Sequence, residues 1–211
     1  MIAVLDYGIG NLRSAEKALQ RVGGDARLVA DPADAVGASG VVLPGVGAFG
    51  ACARALRSSG LDEVAVRAVE SGVPFLGICV GFQLLFAASE EDPGAEGLGV
   101  LDGTVRRLAG GVKLPQMQWN RAERVAGVAS AMLAPFPEPP WFYFVHSYAP
   151  VPAGRAAGSV VATCDYGGRV VAAVESGSCW ATQFHPEKSG RAGLRLLEAF
   201  AGACTGEVRL S

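Results

Sequence analysis

Little in this sequence points toward a membrane or a polyanion. No apolar run approaches the roughly 20 residues that a helix needs to cross a bilayer. The opening Met1–Asp6 lacks the charged lead and long apolar stretch of a signal peptide. Basic residues are not in excess: 18 Lys and Arg stand against 20 Asp and Glu, a net charge of −2. Neither nucleic acid nor an anionic membrane is therefore an expected partner. Cysteine is scarce and scattered. The five (Cys52, Cys79, Cys164, Cys179 and Cys204) are odd in number and include no Cys-x-x-Cys pair. That argues against a disulfide framework or a zinc site and leaves room for one reactive thiol among buried ones. Histidine is scarcer still, at His146 and His185. A cytosolic protein is expected, with no metal or organic cofactor.

Apolar residues are plentiful, at 50% of 211, enough for a sizeable core without cross-links. A single domain over 1–211 is the simplest reading. In the first half, short apolar runs at Met1–Leu5, Ala26–Ala30, Gly40–Leu43 and Val73–Ile78 read as buried strands. Between them, Leu12, Ala15, Leu19 and Val22 recur at helical spacing, and helical stretches are expected over Ala48–Ser71 and Gly81–Ala88. Such alternation predicts an α/β fold, a mostly parallel sheet flanked by helices in three layers. The second half changes character. Val100–Leu108, Trp141–Val145, Ser159–Cys164, Val170–Glu175 and Ser178–Gln183 read as strands, with hairpin turns at Gly167-Gly168 and Gly177-Ser178. Ser189–Cys204 closes the chain as a helix capped by Ser189, with Leu194, Leu197 and Phe200 on one face.

Three segments carry chemistry. Gly77-Ile78-Cys79-Val80-Gly81 lies between an apolar strand and a helical pattern, the setting of a nucleophile elbow with Cys in place of Ser. The sharp turn strains the nucleophile's backbone, and glycines on either side remove side chains that would collide. A thiol there sits at a helix N-terminus, which favours thiolate, and the Val80 N–H is free to bind an oxyanion. Read alone, Gly-x-Cys-x-Gly also fits a buried structural cysteine. A cysteine nucleophile needs a base. His185 stands two residues from Glu187 across Pro186, so both side chains share one side of an extended backbone. Glu187 can then orient the imidazole toward the sulfur. His146 is a second candidate base, with no carboxylate near it in sequence. Pro44-Gly45-Val46-Gly47 ends a predicted strand, where loops of parallel sheets gather round a ligand. Its glycines permit a peptide flip that aims an N–H at an oxyanion.

Taken together, these segments, with Phe82-Gln83 after the elbow, resemble the class I (triad) glutamine amidotransferases. Four further segments narrow the resemblance: Tyr7-Gly8-Ile9-Gly10-Asn11-Leu12, Pro115–Asn120, Tyr143–Tyr148 and Gln183–Ser189. They are similar to the glutaminase subunits of imidazole glycerol phosphate synthase, an enzyme of histidine biosynthesis. The resemblance implies a flavodoxin-like sandwich that hydrolyses L-glutamine to glutamate and ammonia through a thioester. Cys79 is then the nucleophile, His185 the base and acid, and Glu187 its orienter. The N–H groups of Val46 and Val80 form the oxyanion hole. Gly47, Gln83, Ser147 and Tyr148 bind substrate. Asn11, Trp119, Tyr143 and Lys188 lie toward a partner, a cyclase subunit of β/α-barrel fold that receives the ammonia in a heterodimer. Two departures stand out. Gln118 occupies a position where the family usually has Gly, adding bulk near the expected interface, and Val80-Gly81-Phe82 replaces Leu-Gly-Met. Alternatives are the glutaminase subunit of another amidotransferase, or a cysteine hydrolase that acts without a partner.

Overall fold

The computed structural model describes residues 1–206. An eight-stranded sheet forms its centre. In chain order its strands are β1 (Ile2–Leu5), β2 (Ala26–Val29), β3 (Gly40–Gly45) and β4 (Phe75–Cys79), followed later by β7 (Glu123–Arg124), β10 (Val160–Asp165), β11 (Arg169–Ser176) and β12 (Cys179–Thr182). Two small antiparallel pairs stand beside it: β5 (Gly103–Arg107) with β9 (Tyr148–Pro152), and β6 (Gln116–Arg121) with β8 (Trp141–His146). Spatial order in the large sheet is β2-β1-β3-β4-β12-β11-β10-β7. The first five are parallel neighbours and the last three antiparallel.

Helices α1 (Leu12–Arg21), α2 (Phe49–Ser58), α3 (Leu61–Glu70), α4 (Val80–Gln83) and α5 (Gly190–Thr205) complete the chain. The β1–α1–β2 crossover and the β3–α2–α3–β4 crossover step away from the β1/β3 pair in opposite directions. Because such crossovers are right-handed, their helices cover opposite faces of the sheet. The contacts agree: α1 packs with α5, and α2 with α3. With both faces covered, the parallel strands are apolar almost throughout. Every residue of β1, β3, β4 and β12 is buried, which is why each reads as a continuous apolar run.

The expected α/β sandwich is what forms, with five local differences. The helical stretch over Ala48–Ser71 is two helices, divided at Ser59-Gly60, where Gly60 takes φ +71°. The helix expected over Gly81–Ala88 is the short α4. Backbone N–H groups of Gly97, Leu98 and Leu101 bond to the carbonyls of Ala87, Leu84 and Leu85, so a passing segment takes the acceptors that a continuing helix would use. Ser189 precedes α5 without capping it, since no side-chain cap bond forms. On the apolar face of α5, Leu197 and Phe200 are buried as expected, but Leu196 is buried where Leu194 is only half-buried. Strands β6 and β9 were absent from the sequence reading. β6 exposes most of its residues and so lacks an alternating pattern, and Pro150 and Pro152 mask β9. The two predicted hairpin turns join β10 to β11 and β11 to β12.

All five cysteines are buried and unbridged. No helix among the described residues is long and apolar enough to cross a membrane. Strands β3, β4 and β12 are adjacent, with Gly45 opposite Cys79 and Thr182 opposite Ile78. Their carboxyl ends therefore open onto one place.

Candidate active site

Cys79 is the last residue of β4 and adopts φ 55°, ψ −108°. Among the described residues it alone, apart from glycines, has a positive φ. Such a conformation costs of order 1–3 kcal/mol and persists only when the surroundings enforce it. The two flanking glycines make the turn possible. A Cβ on Gly81 would sit 1.8 Å from the Leu43 carbonyl oxygen, and one on Gly77 would meet the Gly81 backbone at 3.1 Å. Both strands and the start of α4 are pressed together at this point.

His185 follows β12, the neighbour of β4. Its backbone N–H donates to the Tyr143 carbonyl at 2.9 Å, and its own carbonyl accepts from Ser189 Oγ at 2.6 Å. Ser189 Oγ in turn accepts from the Tyr143 N–H at 2.9 Å. The serine expected as a helix cap thus ties the histidine to β8. His185 Nδ1 lies 2.8 Å from Glu187 Oε1, with both side chains buried. Burial pushes the imidazole down. The neighbouring Cys79 sulfur and the Glu187 carboxylate bonded to Nδ1 outweigh this and raise it to about 10. The other histidine is opposite in character. Burial pushes His146 down to about 4, opposed by the Tyr148 carbonyl 2.9 Å from Nδ1 and reinforced by the charge of His185.

A cavity of about 240 Å³ opens beside the sulfur. Val46, Gly47, Cys79, Val80, Gln83, Ser147, Tyr148 and His185 all line it, which brings together every residue expected to react, to hold an oxyanion or to bind substrate except Glu187. Glu187 stands behind His185. The cavity wall also includes Glu91, His146, Val145 and Pro115. Glu91 was not singled out in the sequence, where it lies in a polar turn. Its Oε2 accepts from the Phe49 N–H at the start of α2 at 2.7 Å, which holds a carboxylate at the rim. Both amide hydrogens of Gln83 are engaged, with the Tyr148 carbonyl at 3.0 Å and Gln183 Oε1 at 3.1 Å. What Gln83 can offer a ligand is therefore an acceptor oxygen. An imidazole, a sulfur, a carboxylate and an amide acceptor thus line one small cavity.

The residues expected toward a partner lie elsewhere. Trp119 on β6 and Tyr143 on β8 are cross-strand neighbours, ring centroids 6.3 Å apart and edge to face. Lys188 is exposed, and Asn11 precedes α1, accepting from Ser14 Oγ at 2.7 Å. Gln118 is exposed too, on the opposite face of β6 from Trp119.

A sequence model of the family described as "Glutamine amidotransferase class-I" matches residues 3–203. The chain belongs to this family. Among its relatives is the protein named "Imidazole glycerol phosphate synthase subunit HisH" from Methanothermobacter thermautotrophicus, 46% identical over 95% of this chain and 97% of that one. The protein of the same name from Thermobifida fusca is 46% identical over 93% of this chain and 95% of that one. In three dimensions this class-I amidotransferase is similar to "Structure of PurLQS from Thermotoga maritima", with a TM-score of 0.74, 22% identity and coverage of 98% and 97%. At that identity the likeness speaks to the fold. The amidotransferase fold thus sets the cavity at the carboxyl ends of β3, β4 and β12.

Proposed function

We propose that the chain is the glutaminase subunit of an imidazole glycerol phosphate synthase, which hydrolyses L-glutamine at Cys79 and delivers ammonia to a cyclase subunit of β/α-barrel fold. The observation that carries the reading is the convergence of Cys79, in its strained elbow, with a buried His185–Glu187 pair held at 2.8 Å. The Cys79 thiolate attacks the side-chain amide carbon of glutamine. The N–H groups of Val46 and Val80 take the negative charge that develops on oxygen, each donor being worth about 3 kcal/mol in comparable sites. His185, protonated near neutral pH, gives its proton to the departing nitrogen, and ammonia leaves as the thioester forms. The neutral imidazole that results then draws a proton from water, which opens the thioester and releases glutamate. Glu187 holds the imidazole in orientation throughout. Gly47 and Gln83 line the glutamine site, and Ser147 and Tyr148 contact its amino-acid end.

For the partner, Met117 and Trp119 on β6 and Trp141 on β8 are large apolar side chains exposed at 62%, 49% and 54%. With Tyr143 and Val145 they share one face of the β6–β8 pair, and Val145 also lines the cavity. An exposed apolar face of this kind marks a protein contact, and its continuity with the cavity gives ammonia a dry exit. Asn11 and Lys188 are assigned to the same contact by the family resemblance, whereas Gln118, expected to add bulk there, lies on the opposite face of β6. The test is reconstitution with a barrel cyclase. Wild type should support glutamine-dependent cyclisation, whereas Cys79→Ala should support it only when ammonium salt is supplied. Glutamine-dependent turnover by Cys79→Ala would overturn the reading.

A further inference from the structure

Gln183 is wholly buried two residues before His185 and points its amide at the sulfur, with Nε2 3.6 Å from Cys79 Sγ. We propose that Gln183 is a catalytic residue of this site, a hydrogen-bond donor that stabilises the Cys79 thiolate, and that Gln83 fixes the direction of its amide. The inference rests on Cys79 being the nucleophile.

The polarity of the chain of bonds follows from one atom. The Tyr148 carbonyl oxygen can only accept. Gln83 Nε2 lies 3.0 Å from it, so the nitrogen of Gln83 must face that way. The same nitrogen lies 3.1 Å from Gln183 Oε1, which turns the oxygen of Gln183 toward Gln83 and its NH2 toward the sulfur. An inverted Gln183 would set NH2 against NH2, losing the bond to Gln83, and would turn its oxygen toward the sulfur, where it repels a thiolate. His146 Nδ1, 2.9 Å from the same carbonyl, donates to its second lone pair. One backbone carbonyl thereby orients Gln83, Gln183 and the tautomer of His146.

Such a donor adds to the imidazole of His185, which lines the same cavity as the sulfur. The helix that follows Cys79 spans only Val80–Gln83, one turn, with little of the summed dipole that a longer helix supplies. Cys79 and Gln183 are buried, at 3% and 0% exposure, so water contributes little and a fixed N–H is strong there. The neutral thiol has a weak acceptor, the Val145 carbonyl at 3.9 Å. Ionisation removes that contact and strengthens the one from Gln183, because hydrogen bonds to a charged partner are the stronger kind. The donor therefore favours the reactive form.

The test is the rate at which iodoacetamide alkylates Cys79, followed by mass spectrometry of the full chain at pH 7 and pH 10. Gln183→Met should alkylate about tenfold more slowly than wild type at pH 7, with most of that deficit removed at pH 10, where free thiols are ionised. An unchanged rate at pH 7 would overturn the proposal. So would an equal loss at both pH values, which signals altered access to the sulfur. If Gln183→Met does not fold, Gln83→Met decides, since it frees the Gln183 amide to turn. About threefold slowing confined to pH 7 is expected, and no change in the ratio of the two rates would sink the idea. Retained glutaminase turnover in Cys79→Ala would instead break the nucleophile assignment, whatever Gln183 does.

Discussion

The wall of the cavity and its rim are built from different material. The wall is the pair β4–β12, parallel strands at the centre of the sheet whose every residue is buried, with Cys79 ending one strand and His185 following the other at the same carboxyl edge. The rim is Val46-Gly47 after β3, and Ser147-Tyr148 where β8 passes into β9, all at or near the surface. Reacting atoms sit on the part of the molecule with the least freedom, and binding groups on the part with more. A sulfur and an imidazole must meet within a few tenths of an ångström, whereas a rim must open and close on a substrate.

If wall and rim differ in this way, substitutions should separate them. Cys79→Ala should lower glutaminase turnover by roughly 10⁴-fold or more while circular dichroism stays native. A folded variant with substantial turnover would remove the wall's claim to the chemistry. His185→Ala should approach that loss, and Glu187→Gln should be milder by roughly 10- to 100-fold, since an orienting carboxylate is the least costly member of such a set to lose. Equal losses from the two in steady-state kinetics would show that Glu187 does more than orient.

Stability should divide the same way. Gly81→Ala drives a methyl group to 1.8 Å from the Leu43 carbonyl oxygen, and should cost more than about 3 kcal/mol in urea unfolding or prevent folding. Gly47→Ala meets nothing within 4 Å and must bear only φ +86°, so about 1–2 kcal/mol is expected. If both variants melt alike, the contrast fails. The smallest effect belongs to Tyr7→Phe. It removes a hydroxyl that donates to the Pro44 carbonyl at 2.7 Å, and should lower stability by about 1 kcal/mol.

The two histidines allow a pH comparison. His185 binds its proton more tightly in the folded chain, so its contribution is fully present below about 6.5 and is lost as pH rises toward about 10. His146 binds its proton less tightly in the folded chain, so stability falls as pH drops from 6.5 through about 4. Ring-proton NMR between pH 5.5 and 8 should therefore show neither histidine titrating in the ordinary range. A midpoint near 6.5 for either would contradict its environment.

The buried parallel strands were legible because both faces are covered, which makes β1, β3 and β4 unbroken apolar runs. The elbow was legible because close packing leaves no room for Cβ atoms at Gly77 and Gly81. His185 and Glu187 were legible as a pair from their closeness in sequence, although the backbone over Pro186–Lys188 is a 3-10 turn and not the extended chain expected. β6 was not, since its exposed residues follow no burial pattern, nor was the early end of α4, which is decided by hydrogen bonds from residues 97–101. The roles suggested for Gly47, Gln83, Ser147 and Tyr148 came from the family resemblance, because nothing in their spacing places them beside Cys79.

Sequence alone determined which atoms are available: one thiol set in an elbow, one imidazole with a carboxylate in reach, and glycines where backbone must approach backbone. These are local properties, governed by a few neighbouring residues. Only the tertiary structure decided that β4 lies next to β12, that Glu91 and His146 face the same space, and that Gln83 and Gln183, 100 residues apart, align to place an N–H on the sulfur. Those relations depend on strand order and on hydrogen bonds between distant segments, and no local pattern of residues encodes them.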